Sequence, residues 1–247
     1  MPFDVKVGAA REVVRPLALL PMRGFEEMGR RVNEYLLRWT TDPESDTLLT
    51  FPGFDKNSFI IEAECPRFGT GEAKGMIRSS VRGYDLYILC DVTNYSVTYP
   101  MYGIKSHMSP DDHFADLKRL IAACGNKPHR INVIMPFLYE GRQHRRNGRE
   151  SLDCAIAIQE LYRLGVDNII TFDAHDPRVV NAAPMNNFES VQPIYQILKA
   201  LLKARPDVII DKEKTMIISP DEGAAPRNIY FSSMLGLNMG MFYKRRD

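Results

Sequence analysis

The run INVIMPFLYEGRQHRRNGRESLDCAIAIQELYRL, Ile131 to Leu164, decides how this chain is read. Ile131 to Met135 is a compact apolar β-type segment. Beyond it Leu152, Ala155, Ile156, Ile158 and Leu161 recur at helical spacing until Gly165 stops them. Between strand and helix lie Arg142, Arg145, Arg146 and Arg149. Four guanidiniums this close need an anion or solvent. A loop that leaves the carboxyl end of a strand and returns into a helix occupies the place where open α/β sheets bind ligands, often phosphorylated ones. Phosphate chemistry is therefore the first functional expectation. The bland alternative is a solvated face, or an ion-pair network with Glu140, Glu150 and Asp153.

The same strand-then-helix alternation extends in both directions. A strand near Leu17 to Leu20 precedes a helix over 25 to 36, where Phe25, Met28, Val32, Tyr35 and Leu36 share one face. Residues 41 to 57 are polar and rich in turn formers, a loop or hairpin insertion, and Ser58 to Glu64 alternates as a strand. Tyr84 to Val92 is a further β-type run, and Thr93 to Met108 has no periodicity and reads as a long irregular excursion. Ser109-Pro110-Asp111-Asp112 is a strong helix start, with a cap residue, proline at the first position and acids in the positive first turn. The stripe Phe114, Leu117, Leu120, Ile121 and Cys124 runs from it to Gly125, a natural C′ residue.

Val166 to Phe172 returns as a strand, Val191 to Ala204 as a helix, Thr215 to Ser219 as a strand, Ala224 to Leu235 as a helix, and Met239 to Tyr243 as a last strand. This order implies an α/β protein with a mainly parallel sheet flanked by helices.

An apolar share of 45% and a charged share of 26% are those of a soluble globular protein. A formal net charge of +1 supplies no global field for nucleic acid or anionic membrane, so any anion affinity must be local. No secretory signal is recognisable and no apolar run approaches the length of a membrane span, which makes a cytoplasmic protein the expectation. Cys65, Cys90, Cys124 and Cys154 form no C-x-x-C pair and read as buried reduced thiols. Of the five histidines only His175 has a context suggesting function.

Right-handed crossovers bring the loops after parallel strands to one sheet edge. Besides Gly141 to Arg149, two such loops are polar: Asp173-Ala174-His175-Asp176 and Ser219-Pro220-Asp221-Glu222-Gly223. Carboxylates and a histidine with arginines suit a Mg-nucleotide, since guanidiniums grip phosphate forks while acids and water hold the metal. Structurally, Asp173 could cap a turn, His175 could be a satisfied core histidine, and Asp221-Glu222 could serve a helix dipole.

In this order the segments resemble the ribose-phosphate pyrophosphokinases, from about residue 17 to the end. RFGTGEAKGMIRSSVRGYDLYIL, Arg67 to Leu89, is similar to the family's R-F-S-D-G-E segment and the R-G-x-D strand after it. MPFLYEGRQHRR resembles P-Y-x-x-Y-A-R-Q-D-R, TFDAHDP the D-L-H segment, SPDEGAAPR the S-P-D-x-G-x-x-x-R segment, and the terminal KRR the start of a mobile catalytic loop.

The resemblance implies an N-terminal extension over 1–16, a phosphoribosyltransferase-like nucleotide domain over 17–195 and an incomplete second one over 196–247. It implies Mg2+-dependent transfer of diphosphate from ATP to ribose 5-phosphate, releasing AMP. Phe68 and Glu72 would hold the adenine, often across a subunit boundary, and Arg142 and Gln143 would grip the nucleotide. His175 would help place the Mg-triphosphate and Asp221 would lie near metal and ribose. Lys244 and Arg246 would neutralise charge on the transferred group. The family habit also implies a homo-oligomer of dimers, up to a hexamer, with no nucleic-acid or membrane partner.

Thr70 and His144 stand where the family carries acids, and residues 38 to 58 and 93 to 110 look like insertions. No segment of the D-D-x-x-x-T-x-G-T kind, the family's cradle for ribose 5-phosphate, occurs in the sequence. Negligible turnover by this 247-residue polypeptide is therefore expected. A non-catalytic regulatory relative that binds nucleotide and associates with catalytic subunits is the alternative. A nucleic-acid binder using the arginine loop lacks a recognised motif.

Overall fold

The computed structural model describes residues 15–41 and 57–243. Along the chain come β1 (Leu17–Pro21), α1 (Glu26–Thr41), β2 (Ala63–Glu64), β3 (Met76–Ile77), β4 (Asp85–Leu89), β5 (Thr98–Met101), β6 (Ile104–His107), α2 (Pro110–Cys124) and β7 (Arg130–Ile134). Then follow α3 (Asp153–Arg163), β8 (Asn168–Phe172), a 3-10 helix (Pro177–Ala182), β9 (Asn187–Val191), α4 (Ile194–Ala204), β10 (Met216–Ser219), α5 (Ala225–Leu235) and β11 (Asn238–Met241). The chain divides into two compact units, Met1–Val191 and Gln192–Asp247.

The first unit is built on a five-stranded sheet of order β1-β4-β7-β8-β9, and every pairing in it is parallel. Its inner strands read DLYIL, RINVI and NIITF, nearly continuous apolar runs, because helices cover a parallel sheet on its faces. Leu20, Leu86, Ile88, Val133, Met135 and Ile169 share one core with Leu117 and Ile121 of α2 and with Ile158 and Leu161 of α3. The start of α2 is a full capping box, in which the Ser109 hydroxyl accepts from Asp112 N and Asp112 accepts from the Ser109 backbone N–H at 2.9 Å. Gly125 ends the helix in the left-handed region at φ 57°. Arg130 donates twice to Asp85, at 3.0 and 2.7 Å, locking the starts of the neighbouring strands β4 and β7.

Three segments depart from the sequence expectation. Within Thr93 to Met108, expected to be irregular, β5 and β6 pair as a hairpin turning at Tyr102 and Gly103, both with positive φ (49° and 79°). Two such residues in succession are what a two-residue hairpin loop requires. The hairpin has its own small core of Val97, Tyr99 and Met108. Ser58 to Glu64 is not one strand. Ile60 bridges Leu19, and the chain then swings away so that Ala63 and Glu64 pair with β3. The strand β9 stands just before the expected helix, which begins at Ile194 rather than Val191.

In the second unit β10 and β11 form a parallel pair joined through α5. Among the described residues no helix is long and apolar enough to cross a membrane. Expected features over residues 1–14 and 42–56 lie outside the described residues.

Candidate functional site

The arginine loop starts where β7 stops, in a turn fixed by its backbone. Met135 N donates to Ile170 O of β8 (2.8 Å), Gly141 N to Leu138 O (3.0 Å) and Gln143 N to Glu140 O (2.9 Å), with Glu140 at φ 55°. The Gln143 side-chain amide donates to Ser151 O at 2.9 Å and Arg145 O at 3.2 Å, closing the loop on itself. Arg142 is exposed, its guanidinium carbon 5.6 Å from the centre of the Phe137 ring. Arg145, Arg146 and Arg149 are exposed as well. Among the described residues none of these four arginines has an acid at ion-pair distance, which argues against the internal network with Glu140, Glu150 and Asp153.

The loop after β8 meets this one. Asp173 takes a left-handed conformation (φ 48°) while its N–H donates to Val191 O of β9 (3.0 Å), and Ala174 N donates to the Ser190 hydroxyl at 3.0 Å. These bonds turn His175 outward, exposed, and Asp176 inward, buried. Asp176 caps the 3-10 helix by accepting from Arg178 N (2.8 Å) and Arg178 Nε (2.9 Å). Its Oδ2 lies 3.1 Å from His144 Nε2 of the arginine loop. The rings of His144 and His175 are 5.3 Å apart. Hydrogen bonds from Arg178, aided by the charge of Arg178 and by His144, hold the Asp176 carboxyl well below the ordinary carboxylate range.

His144 is thus a second histidine with a context, contrary to the expectation that only His175 had one. Its Nδ1 is buried without a hydrogen-bond partner among the described residues. The sequence signal was present but read as a departure: a histidine standing where the family's R-Q-D pattern carries an acid.

RFGTGEA forms a tight hairpin. Arg67 bridges Ala73, Phe68 N donates to Glu72 O (2.7 Å) and Gly71 turns at φ 93°. Phe68 is 54% exposed, and Glu72 is exposed with its carboxylate accepting from the Thr70 hydroxyl at 2.9 Å. Sequence reasoning missed the anchor of this hairpin, Arg67. Its side chain is buried against Asp116 (2.9 Å), donates to Gly71 O (3.0 Å) and stacks over Tyr99 at 4.5 Å. Burial pushes the Asp116 carboxyl above its usual value, against the pull of Arg67 and Arg119.

A cleft of about 410 Å3 opens beside Arg142, lined also by Tyr95, Phe137, Tyr139 and Glu140 and by neither Phe68 nor Glu72. Asp221, in the second unit, accepts from Ala224 N at 3.0 Å. Lys244 and Arg246 lie outside the described residues. All four cysteines are free, and burial raises every thiol, so none is poised as a nucleophile. No group of three or more potential metal ligands occurs among the described residues.

A parallel sheet with two joined polar loops at its carboxyl edge defines an open α/β protein of phosphoribosyltransferase-like fold, the architecture that binds ligands at that edge. A family model describing the N-terminal domain of ribose phosphate pyrophosphokinase matches residues 17–165, and the chain belongs to that family. A ribose-phosphate pyrophosphokinase of Aquifex aeolicus (strain VF5) is 23% identical over 190 residues, covering 76% of this chain and 54% of that protein. Ribose-phosphate pyrophosphokinase 1 of Candida albicans is 27% identical over 191 residues, covering 76% and 53%. The chain spans about half the length of the curated relatives it matches. The crystal structure of phosphoribosylpyrophosphate synthetase from Mycobacterium smegmatis shares the fold with a TM-score of 0.72 at 18% identity, over 94% of this chain and 66% of that one.

Proposed function

We propose that this chain carries the MgATP-gripping side of a ribose-phosphate diphosphokinase site, in which O1 of ribose 5-phosphate attacks the β-phosphorus of ATP and AMP leaves. The observation that carries this reading is the joining of the arginine loop to the β8 loop through His144 and Asp176, 3.1 Å apart, with the arginines left unpaired by acids. Diphosphate transfer asks little covalent help from a protein and much positioning and charge neutralisation. Arg142 is free to fork onto a phosphate, Gln143 fixes the loop that presents it, and the exposed His175 faces solvent where the nucleotide would lie. Lys244 and Arg246 keep their proposed role of neutralising the transferred group. Phe68, more than half exposed, suits the family's adenine contact across a subunit boundary, in a homo-oligomer.

Magnesium is part of the proposal: a small octahedral cation that retains waters and is held mainly by substrate phosphates needs only one or two protein groups. His175 would face the metal-bound triphosphate; the ion would supply charge neutralisation between phosphate oxygens. Acceptor binding is proposed to need residues of the D-D-x-x-x-T-x-G-T kind, so turnover by residues 1–247 alone is expected to be negligible.

Calorimetry with MgATP tests the reading. Saturable binding is expected, and Arg142→Ala should weaken it roughly ten- to a hundredfold, the worth of a charge-assisted hydrogen bond. Absence of binding, or full affinity in Arg142→Ala, would refute it.

A further inference from the structure

The RFGTGEA hairpin has little of its own to keep it in shape. It lies outside the five-stranded sheet, closes through the bridge of Arg67 to Ala73 and turns at Gly71 in the left-handed region. A two-stranded hairpin this short is marginal in water, so its shape depends on what it leans against. It leans on the β5–β6 hairpin. Tyr102 N, at the β5–β6 turn, donates to Gly69 O at 2.8 Å. The Tyr99 ring of β5 lies 4.5 Å from the Arg67 guanidinium carbon. Met101 packs so closely under Gly71 that a Cβ there would lie 2.9 Å from its sulfur. These contacts run from the base of RFGTGEA at Arg67 to its tip.

The supporting hairpin is itself rooted in the fold. The Asn94 side-chain amide donates to Gly24 O at 2.6 Å, the Arg23 guanidinium to Thr98 O at 2.7 Å, and the His113 ring to Asn94 O at 2.9 Å. The Tyr99 hydroxyl lies 3.4 Å from the Asp112 carboxylate of the α2 capping box. Tyr99 is buried while Phe68 is open, so the support is fixed and the side chain it presents is free to meet a ligand.

Both β5 and β6 fall within residues 93 to 110, the stretch that departs from the family as an insertion. We infer that this inserted hairpin is a brace that holds RFGTGEA in the shape presenting Phe68 and Glu72, with Tyr99 as the positioning residue. The inference rests on the reading of Phe68 and Glu72 as nucleotide-base contacts. Tyr99 itself touches no nucleotide. It acts by raising the fraction of molecules in which RFGTGEA is already closed, and a site competent only in that fraction binds in proportion to it. Ordering Phe68 in advance also spares the ligand the cost of ordering the hairpin on binding.

The test pairs amide hydrogen exchange with calorimetry on the full chain, using Tyr99→Leu, which loses the stack, and Tyr99→Phe, which keeps it. In Tyr99→Leu, exchange over residues 67–73 should be at least roughly fivefold faster, the worth of one guanidinium–ring stack, while β4 and β7 exchange as in wild type. MgATP should bind more weakly by at most the same factor, and magnesium tripolyphosphate, which has the phosphates and no base, should bind unchanged. Tyr99→Phe should match wild type in every measurement. Unaltered exchange over 67–73, or equal acceleration in β4 and β7, overturns the brace, the second because Tyr99 would then serve only global stability. Faster exchange with undiminished MgATP affinity, an equal loss of tripolyphosphate, or a Tyr99→Phe as weak as Tyr99→Leu overturns the positioning role. A wild type that binds MgATP and tripolyphosphate alike overturns the base contacts and this role while the phosphate grip stands. One that binds neither overturns the nucleotide reading and the positioning role with it.

Discussion

Arg67 holds the RFGTGEA hairpin from inside, and its removal has a calculable consequence. Its side chain and that of Asp116 are each only 5% exposed, paired at 2.9 Å, and Asp116 also takes Arg119 at 2.7 Å. Removing one member of a buried pair strands the other's charge, at about 3 to 5 kcal/mol. In Arg67→Met the remaining Arg119 still neutralises Asp116, which places the loss near the lower end, about 3 kcal/mol, with the Tyr99 stack contributing on the order of 1 kcal/mol of it. For a unit of this size that corresponds to a fall in Tm of roughly 6 to 12 °C. The double variant Arg67→Met/Asp116→Leu leaves no buried charge, because Arg119 at 31% side-chain exposure can turn to water. It should lie within about 1 to 2 kcal/mol of wild type.

The assay is urea unfolding followed by Trp39, the single tryptophan, which belongs to α1 and reports on the first unit. The reasoning fails if the single variant loses less than about 1 kcal/mol, or if the double variant is no more stable than the single one.

Two further perturbations follow from nearby geometry. A Cβ on Gly75 would lie 2.3 Å from Arg119 O, a backbone atom that cannot swing aside, so Gly75→Ala should push the β2–β3 pair off α2. A loss on the order of 1 to 3 kcal/mol in the same urea assay is expected, and an unchanged midpoint would contradict it. Asp176 gives a pH dependence. Its carboxyl is lowered in the fold, so its contribution is complete above the unfolded value of about 3.9 and is lost as pH falls through the lower folded value. The gap in urea midpoint between wild type and Asp176→Asn should therefore be widest at neutral pH and shrink between about pH 4 and 2; a constant gap would show that the carboxylate's charge is not what stabilises the node.

The parts of the fold that sequence disclosed are those whose cause is local. The inner strands announce themselves because both faces are covered, so four or five apolar residues stand together. The helix α2 does so because Ser109, Pro110, Asp112 and Gly125 each answer an orphan backbone group at its ends. The strand β9, NFESV, carries no such signal. It is a polar, alternating edge strand whose existence depends on the ladder offered by Asn168 to Phe172. The β5–β6 hairpin was hidden for a related reason, since the turn at Tyr102-Gly103 lacks the usual Asn-Gly or Asp-Gly pair.

The site divides along the same line. The arginine loop stands out in the sequence because a cluster of like charges in a loop is a local anomaly, whereas Arg142 and Gln143 are singled out within it only by the family resemblance. The His144–Asp176 contact joins residues from two loops, and no spacing rule links them. Yet that contact explains the anomaly. The buried carboxylate that could have drawn in a loop arginine is already satisfied by His144 and by Arg178, while Gln143 closes the loop through backbone carbonyls. With those internal demands met by other groups, the arginines are left to solvent or to a ligand. The histidine in place of the family's acid thus pairs with the buried Asp176, while none of the four loop arginines has an acid at ion-pair distance among the described residues.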